Sequence, residues 1–463
     1  MNISSVEPIP GGKVEGKIRP PGSKSLTNRA LICAAFAQGA SRLRGSLQSE
    51  DTAVMIDSLQ KIGISVDQAD GGQTLSVSGS NQAAPGPAAV DLFIANSGTS
   101  VRFLTAALSA AGGDYRLLGV ERMHQRPIGD LIHAISPVLQ GSITADSPGG
   151  CPPVRVHSKG WNGGDVTVAG SVSSQYLSGL MMAAPIALES STGLRKPDCE
   201  SMRINVRGEL VSRPYVEMTA QVMKSFGAEV ELMDAPKADI SLAVQVKRAG
   251  YRGQDYSIEP DASAASYFWA AAAITGGRVT VEGLQPSAMQ GDVGFCEVLS
   301  QMGCQVESGD YGMTLTGGPL TGVDVNMNAI SDTVQTLAVV ALFASGPTRV
   351  RGVAHNRFKE TDRIADLARE LRKLGAVVKE HEDGMTIVPP DSVSGLHGAE
   401  IETYHDHRMA MSLSLAGLRI NDVRILNPAC TAKTYPEYFS DLETLIGRAH
   451  RWSNTETDGG TTK

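Results

Sequence analysis

Cations and small polar side chains recur together along this chain, each time at the opening of an apolar, helix-like run. In PGSKSLTNR (21–29), Lys24, Ser25 and Arg29 stand within the first turns of such a run. A lysine there supplies a point charge for a phosphate, and Arg29 follows about one turn later on a nearby face. NSGTSVR (96–102) offers Asn96 as a cap, Gly98 where backbone can approach a ligand closely, and Arg102 a turn further on. SVSSQ (171–175) sets Ser173, Ser174 and Gln175 in a row, a set suited to a phosphate or a polyol. QRPIGDL (125–131) carries Arg126, HNRFKETDRI (355–364) carries Lys359, Glu360, Asp362 and Arg363, DHRMAM (406–411) carries Arg408, and CTAKTYPEYF (430–439) carries Lys433. The spacing predicts Lys359 and Arg363 on one helical face, with Glu360 pointing elsewhere. Helix starts expose unpaired N–H groups and a partial positive charge, so this inventory suits the binding of multiply charged anions. Taken singly, each segment also reads as plain structure: a solvated basic helix start, a Ser-rich cap, an i,i+4 charge ladder. Their recurrence at equivalent places favours function.

That recurrence defines the elements. Six segments share a polar opening and a run of small and apolar residues: SKSLTNRALICAAFA from 23, NSGTSVRFLTAALSAAGG from 96, SVSSQYLSGLMMAAPIA from 171, DASAASYFWAAAAITGG from 261, ISDTVQTLAVVALFASG from 330 and DHRMAMSLSLAGL from 406. Between them a glycine returns at 63, 141, 227, 303, 375 and 447, mostly after an amphipathic run and before an alternating one. Each repeat reads as strand, buried helix, strand, amphipathic helix with a Gly cap, then paired strands. The buried helices are apolar nearly all round and must sit among neighbours. The amphipathic ones, such as TDRIADLARELRKLG (361–375), carry a charged face and belong outside.

Composition narrows the function. A chain of 463 residues suits two domains. Its net charge of −8 argues against non-specific nucleic-acid binding, so anions must be held by local clusters. No apolar run approaches the roughly 18 residues of a membrane span, and MNISSVEPIPGG lacks the pattern of a secretory signal. Six cysteines without a CxxC pair fit a reducing cytoplasm. No GxGxxG follows a strand, no GxSxG or HExxH occurs, and GGKVEGKI (11–18) ends in Ile where a P-loop needs Ser or Thr. His405 and His407 lack a third ligand in sequence. The expectation is a cofactor-free, metal-free enzyme acting on anionic small molecules, with no nucleic-acid or membrane partner.

Taken in order, PGSKSLTNRAL, QRPIGDL, GSVSSQYLSGLMM, KETDR, DHRMAM and CTAKTYPEYF resemble the 5-enolpyruvylshikimate-3-phosphate (EPSP) synthase family, over about residues 6–445. The resemblance implies an α/β fold, a two-domain inverse α/β barrel of six βαβαββ repeats, three per domain. It implies chain crossings near 20 and 252, with a domain of 23–250 and another of 1–22 plus 251–448. The polar stretch 449–463 is expected to be disordered. The implied reaction moves the enolpyruvyl group of phosphoenolpyruvate to the 5-hydroxyl of shikimate 3-phosphate through a tetrahedral ketal. By motif, Lys24, Asn96, Gly98, Arg126, Gln175, Arg363, Arg408 and Lys433 are expected to hold phosphoenolpyruvate. Lys24, Ser25, Arg29, Ser173, Ser174, Gln175, Ser212, Tyr215, Asp332 and Lys359 are expected to hold shikimate 3-phosphate. Asp332 matches the base for the hydroxyl, Glu360 the acid near the alkene carbon, and Lys24 completes the catalytic set. A cytoplasmic monomer is expected.

The chain also departs from the family pattern. Ser97, Ser100 and Phe103 stand where the family has Ala, Ala and Pro, in the segment where glyphosate competes with phosphoenolpyruvate, which predicts an altered glyphosate affinity. His355 occupies a place often held by Asn, with Asn356 following. Two rival readings are a sister enolpyruvyl transferase acting on UDP-N-acetylglucosamine and a non-catalytic anion-binding relative. The first carries a loop Cys that ERMHQRP (121–127) lacks, and the second is expected to have lost some of the charged positions present here.

Overall fold

The computed structural model describes residues 3–80, 89–189, 199–237 and 239–454. The chain forms two compact units. The inner unit comprises Pro21–Asp261 with Ser287–Gly291; the terminal unit comprises Met1–Pro20, Ala262–Pro286 and Asp292–Lys463. The expected crossing near 252 lies too early. Strands Tyr251–Arg252 and Asp255–Ser257 pair in parallel with Ala37–Arg44 and so complete a sheet of the inner unit.

Each unit builds one pattern three times. In the second repeat, strand Val90–Phe93 lies parallel to Gly113–Leu118, the two joined by helix Gly98–Ala111. After helix Gly129–Ile135, strands Leu139–Ser147 and Cys151–Trp161 add antiparallel, the last strand inserting between its two predecessors. Among the described residues six sheets share this spatial order, and in one of them two short strands, Tyr251–Arg252 and Asp255–Ser257, together fill the first place. The joining helices are buried because their sequences leave no polar face. Every residue from Ala262 to Ile274 of helix Ala262–Thr275 is buried, and such a helix is stable only among neighbours. It packs against Val334–Ala341, which packs against His407–Ser414. In the inner unit, Lys24–Ala35, Gly98–Ala111 and Ser174–Glu189 contact one another likewise. Side chains at their openings fix where several of them begin: Ser23 accepts from the Leu26 N–H, Ser97 from Ser100 and Asp406 from Arg408. The recurrent glycines all take positive φ, from 65° to 142°. Five of them make the left-handed turn out of an outer helix that a Cβ would oppose; Gly141 instead lies inside strand Leu139–Ser147, beside a shift in its pairing register.

The C-terminal segment corrects the expectation of disorder from 449. Arg451–Asn454 forms a strand antiparallel to Ile3–Glu7 and closes the sixth sheet; residues 455–463 lie outside the described residues. His450 is buried, with its ring 6.0 Å from Phe439 and 6.4 Å from Trp452. Burial lowers its pKa to about 4, with Glu443 raising it and Arg448 lowering it to smaller extents. An unfolded imidazole titrates near about 6.5. Between that pH and about 4 the unfolded chain binds a proton that the folded chain refuses, so stability falls as pH drops through this window. Urea denaturation of His450→Phe is expected to show a flatter pH dependence there than the parent. An unchanged dependence would remove His450 from this account.

Candidate active site

In the inner unit the polar openings converge on two hydrogen-bonded groups. The first centres on Arg29, which is 1% exposed in helix Lys24–Ala35. Its Nε donates to Thr219 Oγ1 at 2.7 Å, Nη1 to the Ser25 carbonyl at 2.9 Å, and Nη2 to Ser178 Oγ at 3.3 Å and the Tyr215 carbonyl at 3.4 Å. The guanidinium lies over the rings of Phe103 and Tyr215, at 5.2 and 5.9 Å. Burial pulls its pKa down to about 10, so it stays charged at neutral pH. Among the described residues it forms no ion pair with a carboxylate. A buried charge without a counter-charge is costly, so this arrangement calls for an anionic ligand. Lys24 stands one turn earlier, its backbone N–H on Asp261 at 3.1 Å and its Nζ 3.4 Å from the buried Asp51 carboxylate. Ser212 has left-handed backbone, φ 54°, ahead of helix Arg213–Ser225, and is buried.

The second group joins Asn96, Gly98, Arg102, Arg126, Ser173 and Gln175. Arg126 Nη1 donates to the carbonyl and side-chain oxygens of Asn96 at 2.8 and 3.1 Å. Arg102 donates to Gln175 Oε1 at 2.5 Å and to the Pro127 carbonyl at 3.2 Å, and its guanidinium lies over Tyr176. Gln175 donates through its amide to Thr99 Oγ1 and through its backbone to Ser173 Oγ. Ser174 opens helix Ser174–Glu189 and is buried. A Cβ on Gly98 would meet the Arg126 guanidinium, so a side chain there would have to displace the end of Arg126.

The terminal unit gathers carboxylates and cations in near balance. Arg363 is 2% exposed and touches three carboxylates: Asp406 through Nε at 2.7 Å and Nη2 at 3.2 Å, Glu360 through Nη2 at 2.8 Å, and Asp332 through Nη1 at 3.4 Å. Burial opposes its charge, and Asp406, Glu360 and Asp332 more than offset this, raising its pKa. Arg408 donates to the other Asp332 oxygen at 2.6 Å and to Tyr267 Oη at 3.4 Å. Lys433, buried at the end of the turn Pro428–Lys433, has Nζ 3.9 Å from Glu360. Asp332 thus lies between two guanidiniums, and Glu360 between Arg363 and Lys433. His355 is buried nearby; burial first, then the Lys359 charge, lowers its pKa to about 3. Asn356 donates to the carbonyl of Ser331, tying this turn to the one bearing Asp332.

One spacing argument fails. Residues 355–358 form a tight turn, Lys359 is extended and the helix begins only at Ala365, so Lys359 and Arg363 share no helical face. Glu360, expected to point away, instead bonds Arg363. The sequence reading also missed Ser178, Thr219, Asp51 and Asp406. Ser178 and Thr219 follow Ser174 and Tyr215 by four residues, one turn along the same helix faces, and that periodicity would have found them. Among the described residues no group of three His, Cys, Asp or Glu side chains is placed to hold a metal ion.

Comparison with known proteins bears on this arrangement. The family model for EPSP synthase (3-phosphoshikimate 1-carboxyvinyltransferase) matches residues 8–442. The 3-phosphoshikimate 1-carboxyvinyltransferase of Edwardsiella ictaluri is 45% identical over 94% of this chain and 97% of its own length. That of a Marinomonas strain is 41% identical over 96% of this chain and 100% of its own. The solved EPSP synthase of Acinetobacter baumannii superposes with a TM-score of 0.76 at 25% identity, covering 97% of this chain and 100% of that one.

Proposed function

This chain belongs to the EPSP synthase family, and from that premise we propose that it transfers the enolpyruvyl group of phosphoenolpyruvate to the 5-hydroxyl of shikimate 3-phosphate. The observation that carries an anionic substrate is Arg29, a buried guanidinium held by hydroxyls, carbonyls and rings and, among the described residues, by no carboxylate. Arg29, with Lys24, Ser25, Ser173, Ser174, Gln175, Ser212, Tyr215, Asp332 and Lys359, is assigned to shikimate 3-phosphate. Lys24, Asn96, Gly98, Arg126, Gln175, Arg363, Arg408 and Lys433 are assigned to phosphoenolpyruvate.

The chemistry is an addition followed by an elimination. Asp332 takes the proton of the 5-hydroxyl as its oxygen attacks the central carbon of phosphoenolpyruvate. Glu360 gives a proton to the methylene carbon, and a tetrahedral ketal results. The methyl carbon so formed then returns a proton to Glu360 as the C–O bond to phosphate breaks, and the proton held by Asp332 leaves with the phosphate, giving the enol ether and inorganic phosphate. Fixed cations near the carboxylate and phosphate groups stabilise charge without reorganising, and Lys24 is assigned to the departing phosphate. Because Asp332 and Glu360 are each gripped by cations, their oxygens are fixed in direction, as proton transfer over hydrogen-bond distance requires.

The reading is tested by mass spectrometry of the reaction mixture. A product heavier than shikimate 3-phosphate by one enolpyruvyl group supports it; the same gain on UDP-N-acetylglucosamine instead assigns the sister reaction. Gly98→Ala, which pushes a methyl into Arg126, is expected to raise KM for phosphoenolpyruvate by roughly tenfold or more with a smaller change in kcat. An unchanged KM would show that Arg126 does not bind that substrate. We further propose a cytoplasmic monomer; six free thiols fit a reducing compartment.

A further inference from the structure

The loop Glu402–Asp406 turns through two consecutive left-handed residues, Tyr404 at φ 52° and His405 at φ 54°. Neither is glycine, and side chains hold such a conformation only where the surroundings impose it. The turn delivers Asp406, whose carboxylate caps helix His407–Ser414 through the Arg408 N–H at 2.9 Å and grips Arg363. What imposes it comes from the neighbouring helix Ala365–Lys373. Glu370, fully buried there, accepts from Tyr404 Oη at 2.6 Å through one oxygen. Its other oxygen accepts from the Glu402 N–H at 3.0 Å and Lys373 Nζ at 2.7 Å. Arg369 completes the grip, donating to Tyr404 Oη at 3.0 Å with its guanidinium 5.6 Å from the Tyr404 ring. On the far side of the turn, His405 Nδ1 meets the Asn427 amide at 2.9 Å.

We propose that Glu370 and Tyr404 are positioning residues for phosphoenolpyruvate binding, acting through Asp406 on Arg363 and Arg408. A buried carboxylate accepting three hydrogen bonds is far more than is needed to close a surface loop, and all three bind the loop or its own helix end. The loop in turn carries Asp406, whose carboxylate both caps the helix bearing Arg408 and holds two nitrogens of Arg363. Glu370 and Tyr404 therefore set the direction of two guanidiniums without meeting the substrate. The inference rests on the proposed assignment of those arginines to phosphoenolpyruvate.

The test uses Tyr404→Phe, which keeps the ring over Arg369 and removes only the hydroxyl, with Glu370→Gln as a second variant. Tyr404→Phe is expected to raise KM for phosphoenolpyruvate by roughly tenfold, while KM for shikimate 3-phosphate stays within about twofold and kcat within about threefold. A purely structural role would lower the active fraction and leave both KM values alone. Amide hydrogen exchange over residues 402–408 is measured alongside, and it needs no activity. It is expected to quicken by roughly tenfold in the variant as the loop opens more often. Unchanged exchange, or KM values that both stay constant or rise together, would overturn the proposal. A parent enzyme that releases no phosphate from both substrates would instead overturn the proposed reaction, and the exchange result would still decide the clamp.

Discussion

Asp332→Asn is expected to lower kcat by about 10²–10⁴, the usual worth of a positioned acid–base group. Asparagine keeps the shape of the side chain and can still accept from Arg408 through its amide oxygen, so the turn Asn328–Thr333 has no reason to rearrange. What it cannot do is take the proton of the attacking hydroxyl. It also leaves an amide nitrogen toward Arg363 or Arg408, where a carboxylate oxygen now sits. Steady-state kinetics with both substrates varied, together with a thermal melt, separate these effects. The expected pattern is a melt close to that of the parent, KM values changed by less than roughly tenfold, and kcat reduced by orders of magnitude. A kcat within about fivefold of the parent would remove Asp332 from the role of base.

Arg363→Ala should produce the largest loss of stability. Its guanidinium is almost wholly buried and holds Asp406, Glu360 and Asp332 together. Without it, carboxylates that are 0%, 8% and 18% exposed face one another across a vacated, water-poor space. Breaking a buried ion pair costs about 3–5 kcal/mol because a charge loses its counter-charge in a poorly solvated place; Asp406 loses both guanidinium bonds, while Asp332 keeps Arg408 and Glu360 keeps Lys433. Arg363→Lys is expected to recover only part of this, since one ammonium cannot make a bidentate contact with Asp406 and also reach Glu360. The deficit should shrink on acidification, as the abandoned carboxylates take up protons and their repulsion fades. Urea denaturation across pH 4–7 reads this directly. A variant as stable as the parent at neutral pH would show that the three carboxylates find other partners.

The parts of this structure that could be read from the sequence share a physical reason. The buried helices advertise themselves because Ala, Ser and Gly pack tightly and no polar face remains, as in ASAASYFWAAAAIT. The outer-helix exits advertise themselves because a left-handed turn selects glycine, as at Gly63 and Gly375. Cations at helix openings stand out for the same local reason, and Arg29, Arg126 and Arg408 each lie in a hydrogen-bonded polar group. What could not be read depended on contacts distant in the chain. Strand Arg451–Asn454 is a short, mostly polar stretch whose partner, Ile3–Glu7, lies more than 440 residues away along the chain. Strands Tyr251–Arg252 and Asp255–Ser257 belong to the inner unit only through their pairing with Ala37–Arg44. The segment around Lys359 has the spacing of a helix, yet the pull of Arg363 toward Glu360 and Asp406 holds it in a tight turn and an extended residue. A periodicity argument assumes that the backbone is regular, and charged clusters are where tertiary contacts most readily override it.

The most direct test of the central claim is inorganic phosphate release from phosphoenolpyruvate, with and without shikimate 3-phosphate, run beside Lys24→Ala. Lys24 sits at the opening of the helix that carries Arg29, with its ammonium 3.4 Å from Asp51. The account predicts phosphate only when both substrates are present, at a rate that falls by roughly 10²-fold or more in the variant. Release without shikimate 3-phosphate, or a variant as fast as the parent, would contradict it.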